Sequence, residues 1–379
     1  MIIHQPETKK ENGQFIVSAR IETQRGVNFP HELWFSVPEE HRLKVSPRAD
    51  YFATTLLRIA RILGEDLEVR GELSPQLLFG MREYLKVHAA WSGNYNIINI
   101  SASNPVPAER KTQGPAASCS ISGGIDSFHT LWSQLPENEP TVDLQVKYGI
   151  YGANFTSPNQ SNIYEKQYIP GLSKLLEVMG VELLAVNTNS LSFRVADEWL
   201  SISTARLTIP LLFSPVISTH FVPSTDTYHT LKPWGVHPLT DHLFSLESLR
   251  IFTHTSDMLR FEKLRAMAGW APFYEYLYVC NNHNSVLLND STCPKCTRTI
   301  LMANLLNIDE KITTFHMPFR KRNLLRRLIK SRNHYLSFKV MVMHAIRIRK
   351  WSLVPFMIFP VIVYKLTRWI KPLLGYKFK

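Results

Sequence analysis

The hexapeptide Ser122-Gly123-Gly124-Ile125-Asp126-Ser127 constrains this chain more than any other feature. It lies between ASCSI (117–121), which reads as a short buried strand, and SFHTLWSQL (127–135), which reads as a helix. Two successive glycines let the backbone turn tightly and bring its N–H groups against anionic oxygens. The helix that follows points its positive end at the same place. The rhythm then repeats: Val142–Gly152 reads as a strand, 163–179 as a helix and Val181–Asn187 as a strand. This alternation predicts an α/β fold, a doubly wound parallel sheet that binds ligands at the carboxyl ends of its strands.

Within the loop, Ser122 and Ser127 can add hydroxyl donors and Asp126 can hold a magnesium ion. No Gly-Lys-Ser/Thr follows, so this is not the Walker loop. A glycine turn capped by Asp126 or Ser127, without a ligand, is the plain alternative. The hexapeptide resembles the pyrophosphate loop of the N-type ATP pyrophosphatases, the PP-loop superfamily, whose fold is of the adenine nucleotide alpha hydrolase type. The resemblance covers roughly residues 117–306. It implies that ATP is cut between its α and β phosphates, that a substrate oxygen is adenylated, and that a nitrogen or sulfur nucleophile displaces AMP. On this reading Ser122, Gly123, Gly124, Asp126 and Ser127 bind ATP, with Asp126 and Ser127 catalytic.

Four cysteines in 379 residues are too few for a disulfide scaffold. Cys280, Cys293 and Cys296 fall within 17 residues. The C-x-x-C knuckle and the third cysteine supply three thiolates of a tetrahedral zinc site in a reducing compartment. The fourth ligand is open between Asp290 and His283. A redox pair, an iron–sulfur cluster and plain buried thiols are the alternatives.

The segment NDSTCPKCTRTILMANLL (289–306) is similar to the N-C-G-x-C-x-K-C-x-R-T-hydrophobic signature of a little-characterised bacterial group related to 7-cyano-7-deazaguanine synthase. Pro233–Ser245 and Asp257–Ala268 resemble that group's other blocks. Asp290 stands where the group has its first knuckle cysteine, so the resemblance implies a Cys3Asp site. Arg260 and Lys263, three apart on a predicted helix, share a face and can meet phosphate oxygens in a catalytic role. A solvated face salt-bridged to Asp257 and Glu262 is the alternative. His237 and Asp241 are candidates for positioning substrate or for acid–base work, or are structural. Arg298 is placed beside the substrate by resemblance alone.

Residues 1–112 read as a small N-terminal α+β domain. Phe15–Glu22, Glu32–Val37 and Tyr95–Ala102 are its strands, and Tyr51–Leu63 and 75–90 its helices. Three prolines make 103–116 a linker. The PP-loop domain spans 113–313 and a basic tail 314–379. Charge is unevenly spread: the chain carries 43 Lys+Arg and 31 Asp+Glu, but Pro318–Lys379 holds 16 of the bases and no acid. Leu325, Leu328, Ile329, Leu336, Val340 and Met343 fit one stripe of a basic amphipathic helix over 319–350. Beyond it, Trp351–Tyr364 is an uncharged run of 14 residues, short of the roughly 20 that a span requires. Aromatic and basic residues around an apolar run suit an interfacial segment on anionic lipid. Packing on the protein's own body and binding of RNA are the alternatives.

The N-terminus has no apolar run, so a secretory signal is not expected. The expectation is a cytoplasmic ligase, associated through its tail with the inner face of the membrane. It uses ATP, Mg2+ and Zn2+ to adenylate a small carboxylate and give an amide or nitrile. A tRNA sulfur-insertion enzyme and a non-catalytic membrane-associated nucleotide-binding protein are the rivals. The tail is expected to set location, and truncation after Met317 to leave a soluble body.

Overall fold

In the computed structural model the chain is described except at 26–27, 94–96, 112–113, 154–167, 194–205, 234, 283–286, 326–327 and 374–379. Its described strands are β1 (Ile2–Ile3), β2 (Glu7–Glu11), β3 (Gln14–Glu22), β4 (Glu32–Pro38), β5 (Leu67–Leu73), β6 (Ile100–Pro105), β7 (Ala117–Ser120), β8 (Val146–Gly152), β9 (Glu182–Thr188), β10 (Thr219–Pro223) and β11 (Arg250–His254). The helices are α1 (Asp50–Leu63), α2 (Pro75–Ser92), α3 (Ile125–Ser133), α4 (Ile169–Val178), α5 (206–212), α6 (Arg260–Ala266), α7 (Pro294–Leu305), α8 (Arg332–Arg347) and α9 (Val354–Leu373).

The strands form one sheet in the order β11-β10-β7-β8-β9-β4-β3-β1-β5-β6, with β2 added on β3. The pairings from β11 to β9 are all parallel. From β7 the chain builds β8 and β9 to one side, then crosses to lay down β10 and β11 on the other. The strand order therefore reverses between β7 and β10. In an open α/β sheet that switch point leaves a crevice at the carboxyl ends of the strands, and the loop Ser122–Ser127 leaves β7 there.

The N-terminal strands extend this same sheet. β4 pairs antiparallel with β9, with Phe35 opposite Thr188. Thr188 Oγ1 donates to Trp34 O at 2.7 Å, and Trp34 N–H to Asn189 Oδ1 at 2.9 Å. Without β4, β9 would present an unpaired edge. The proline-rich stretch is tied down as well at Val106 and Ala108. Val106 N–H donates to Leu73 O at 3.0 Å, Ala108 N–H to Glu247 at 2.9 Å and Arg48 to Val106 O at 2.6 Å.

Local signals explain the helices that the sequence foresees. Gly64, at φ 68°, closes α1 in the left-handed conformation. Ser74 accepts from Leu77 N–H and Pro75 takes the first turn of α2. In α2, Gly80 faces the carbonyl of Leu243, which occupies the space any side chain would need. The helix can therefore lie directly on the 3-10 turn Asp241–Phe244.

Three expectations are corrected. Val142–Leu144 is a 3-10 turn, so β8 starts only at Val146. β6 starts at Ile100 and runs to Pro105, later than expected. The long tail helix is broken: Lys321–Leu325 is a 3-10 turn, and α8 starts afresh where Ser331 accepts from His334 N–H. That cap resets the helical phase. Leu325 and Met343, expected in the buried stripe, are exposed, and Leu336 and Val340 are only half-buried. Phe338, Met341 and Ala345 point inward instead.

The tail is no appendage. Leu324, Leu328, Ile329, Phe338, Met341, Leu353 and Met357 join Phe128 of α3, Phe261 and Leu264 of α6 and Leu301 of α7 in one core. A second core gathers α1, α2 and the N-terminal strands with Leu211, Phe213, Leu249 and Ile251.

Candidate functional site

Gly123 takes φ 75°, a left-handed conformation that favours glycine, and the Tyr168 hydroxyl lies where its side chain would be. Tyr168 in turn donates to Tyr276 O at 2.5 Å, and Tyr278 N–H donates to Gly123 O at 2.8 Å. The loop is thus held from the side by 276–278. Ser127 is buried and spends its hydroxyl inside the loop. It donates to Gly124 O at 3.0 Å and accepts from Ser122 N–H at 3.3 Å and Ser122 Oγ at 3.2 Å. Ser122 is exposed. Of the two hydroxyls foreseen as ligands, that of Ser127 fastens the loop and that of Ser122 is bonded to it on an exposed residue.

Beneath the loop, His220 of β10 is fully buried between two serines of β7. Its Nδ1 lies 2.8 Å from Ser118 Oγ and its Nε2 2.9 Å from Ser120 Oγ. Burial lowers its pKa to about 3, so a neutral ring bridges the two strands at the switch point.

Asp126, in the first turn of α3, is the focus of the site. Arg260 Nη2 lies 2.5 Å from its Oδ2, Lys263 Nζ 3.5 Å from its Oδ1, and Thr225 Oγ1 donates to Oδ2 at 3.4 Å. Both cations come from α6, so their three-residue spacing does present one face. That face meets Asp126, and Glu262 turns back to accept from Leu259 N–H at 2.8 Å. Lys263 is 1% exposed and also donates to Ser224 O at 2.5 Å. Burial alone would raise the pKa of Asp126, but Arg260 and Lys263 outweigh it and hold it at about 2. For Lys263 the balance falls the other way, and burial lowers its pKa despite Asp126.

Arg298, buried on α7, donates to Leu328 O at 2.9 Å. Burial and then the neighbouring Arg260 lower its pKa to about 10. Arg260 and Arg298 line one cleft together with Asn333, His334 and Ser337 of α8. Asn333 Nδ2 donates to Thr225 O at 2.7 Å, while its buried Oδ1 has no hydrogen-bond partner among the described residues. Burial, then Arg298 and Arg260, bring His334 down to about 2. Arg260 and Lys263 thus converge on one low-pKa carboxylate, with Arg298 beside Arg260, and this clustering of cations favours an anion.

His237 and Asp241 are close in space, but their side chains do not face each other as an acid–base pair. Both carboxylate oxygens of Asp241 accept from His237 N–H at 3.1 Å, and Thr253 Oγ1 donates to Oδ2 at 2.6 Å. The His237 imidazole accepts from Leu239 N–H at 3.1 Å and packs on Trp91, 4.7 Å between ring centres. Burial raises Asp241 to about 7. These contacts clamp the turn 237–241 onto β11.

Cys280, Asp290, Cys293 and Cys296 bring one ligand atom each to within 4.8 Å of one another. Cys293 caps α7 and its sulfur accepts from Cys296 N–H at 3.4 Å, with Pro294 in the first turn. The Cys280 sulfur accepts from Asn282 N–H at 3.3 Å and Asp290 N–H at 3.4 Å. A hydrogen bond from Cys296 lowers the pKa of Cys293. Burial would raise Asp290, but the amides of Cys293 and Thr292, each 2.9 Å away, keep it low. Three sulfurs and a carboxylate at this separation suit zinc. His283 lies outside the described residues.

Sequence reasoning missed Asn289, which is fully buried and ties the two arms of the metal cluster. Its Oδ1 accepts from Val279 and Cys280 N–H, and its Nδ2 donates to Leu277 O at 2.8 Å. It also missed Arg206, which acts electrostatically on both Asp126 and Asp241. Tyr168 and Asn333 were missed too. Asn289 opens the quoted signature and was findable; the others carry no motif and are defined only by what they touch.

Fold and site together define an α/β protein with a mostly parallel central sheet, a cation-ringed loop at its switch point and a cysteine cluster fit for a metal. No protein-family model, curated protein or solved structure matches the chain.

Proposed function

We propose that the protein is an ATP pyrophosphatase of the PP-loop kind that adenylates a carboxylate and passes it to a nitrogen nucleophile. The observation that carries this reading is the convergence of Arg260 and Lys263 on Asp126, in a glycine loop at the carboxyl end of β7. A polyphosphate laid on the loop amides would meet these cations as they exchange Asp126 for phosphate oxygens.

In the first step a carboxylate oxygen attacks the α-phosphorus of ATP, and the bond to the α–β bridging oxygen breaks. Pyrophosphate leaves with the electron pair. In the second step the nitrogen attacks the acyl carbon, AMP departs and the nitrogen gives up a proton to solvent. Arg260, Lys263 and the loop amides stabilise the charge that grows on pyrophosphate, and no covalent enzyme nucleophile is required. Asp126, once released by Arg260 and Lys263, would hold Mg2+, which would supply neutralisation of phosphate charge. Arg298 and the α8 residues that line the cleft with Arg260 would receive the carboxylate substrate. The cysteine cluster with Asp290 would hold Zn2+ as a structural brace between 276–282 and α7.

Sulfur insertion into tRNA is disfavoured by Cys119, the one cysteine outside the cluster. It is fully buried in β7, and burial pushes its thiol pKa well up.

The test is a pyrophosphate-release screen with small carboxylic acids and ammonium or amine donors. AMP and pyrophosphate should appear in equal amounts, and Asp126→Ala should abolish both. Release of ADP or orthophosphate would sink the mechanism, and nucleotide binding without turnover would favour a non-catalytic binder.

A further inference from the structure

The body exposes large apolar side chains such as Leu43, Val142 and Val178 from separate elements and turns. On α9 they are continuous. Its inward side is fixed by Met357 and Pro360, which are buried, and by Val361 and Tyr364, which pack on the tail-containing core. Tyr364 also stacks on Tyr335 of α8, 5.3 Å between ring centres. With the rotation set, Ile358, Phe359, Ile362, Leu366 and Trp369 face outward, and their spacing is that of a single helical stripe. They are 38–70% exposed, the value rising to Trp369 at the far end. Lys365 is exposed within the stripe, and Arg368 lies at its margin against the Tyr364 ring.

We infer that α9 is a membrane-docking helix that lies in the plane of an anionic bilayer. Its outward stripe sits at the boundary of headgroups and acyl chains, and the cations of the tail meet anionic headgroups. This rests on the exposed face and the tail's charge, independently of the ATP chemistry.

The orientation follows from length and charge. No described helix is long and apolar enough to cross a membrane, and α9 carries Pro355, Pro360, Lys365 and Arg368. A helix with one apolar face and basic residues beside it lies on a membrane rather than through it. Trp369 and Lys365 suit the headgroup level, since a ring and a long stem can be buried while the polar tip stays wet.

Charge selects the occupant. Pro318–Lys379 holds 16 Lys+Arg and no Asp or Glu, so the tail cannot neutralise itself. A second copy of the chain would bring the same charge to the same face and be repelled. RNA would satisfy the cations but leave the apolar stripe in water. An anionic bilayer meets both requirements.

The experiment is co-sedimentation of the full chain with phosphatidylcholine vesicles, with and without phosphatidylglycerol. The full chain should pellet with the anionic vesicles and far less with neutral ones. Added salt should weaken the binding without abolishing it, because apolar burial is not screened. A Phe359→Glu/Ile362→Glu variant changes two outward side chains and should keep its circular dichroism and melting temperature. It should bind anionic vesicles about tenfold or more weakly. The inference is overturned if the full chain stays in the supernatant with anionic vesicles, or if the folded variant pellets equally well. A dimer seen by light scattering, lost in the variant and with no vesicle binding, would make the stripe a self-association face. Retention of tRNA unaffected by the variant, again with no vesicle binding, would assign the charge to RNA.

Discussion

At the scale of single residues, the loop's chemistry divides more finely than its motif suggests. Ser127 holds the loop closed, while Asp126 is the charge on which α6 converges. A carboxylate whose folded pKa is depressed stabilises the fold above its unfolded value, about 3.9. That contribution is lost as pH falls through the folded value of about 2. Arg260→Met removes the nearer cation and leaves burial opposed chiefly by Lys263. The acid-unfolding midpoint, followed by circular dichroism, should therefore move to higher pH. An unchanged midpoint would mean that the Asp126–Arg260 pair contributes nothing to the fold. His237 and Asp241 show why a residue pair is hard to read from spacing. Four positions apart is the same spacing whether the carboxylate faces the imidazole or, as observed, the backbone N–H of the same histidine.

At the scale of elements, the metal cluster is a joint between two segments rather than a self-contained finger. One sulfur comes from the 276–282 segment that also braces Gly123, and two come from the start of α7. Purified protein should carry about one zinc per chain by elemental analysis, and Cys293→Ser should lose it. Asp290 has two duties, as candidate ligand and as acceptor for the amides of Thr292 and Cys293. Asp290→Cys should therefore retain zinc at some cost in helix capping. Asp290→Asn should keep an acceptor for those amides but bind zinc more weakly. Equal zinc content in Asp290→Asn and the unaltered protein would remove the carboxylate from the ligand set. Chelation should loosen the grip of 276–278 on the loop, seen as faster hydrogen exchange at Gly123 and Gly124.

At the scale of the molecule, one sheet joins the N-terminal strands to the parallel half, and the tail closes a core rather than trailing from it. Seven large apolar side chains of the tail are buried there. At roughly 1.5–3 kcal/mol each, their loss is on the order of 10 kcal/mol or more. That is comparable to the whole stability of a typical domain, about 5–15 kcal/mol. Truncation after Met317 should therefore yield an aggregated or molten chain by size-exclusion and thermal melting. A soluble, cooperatively folding 1–317 fragment would show that the tail packs without supporting the body. The outward stripe of α9 can instead be altered without touching this core, which makes location and folding experimentally separable.

The α/β rhythm, the glycine loop at a strand end, the caps of α1 and α2 and the cysteine spacing could all be read from the sequence. Each depends on side chains within a turn or two of one another, and short-range geometry leaves few options there. β10 and β11 could not be read. β10 is a five-residue strand buried on both faces and shows no periodicity of its own. β11, at the edge of the sheet, alternates over only five residues, with the apolar Phe252 on its exposed side. Nor could the stripe of α8, because one capping serine decides where the helix starts and every later side chain follows that phase. The tail's sixteen bases signalled an appendage because composition counts charges without locating them. Folding sends many of those charges outward and buries the leucines, phenylalanines and methionines between them. Which residues surround Asp126 depends on segments about a hundred or more residues away, and which face of α9 is left to the solvent depends on how it packs against α8 and the turn Lys321–Leu325; only the tertiary structure brings those segments together.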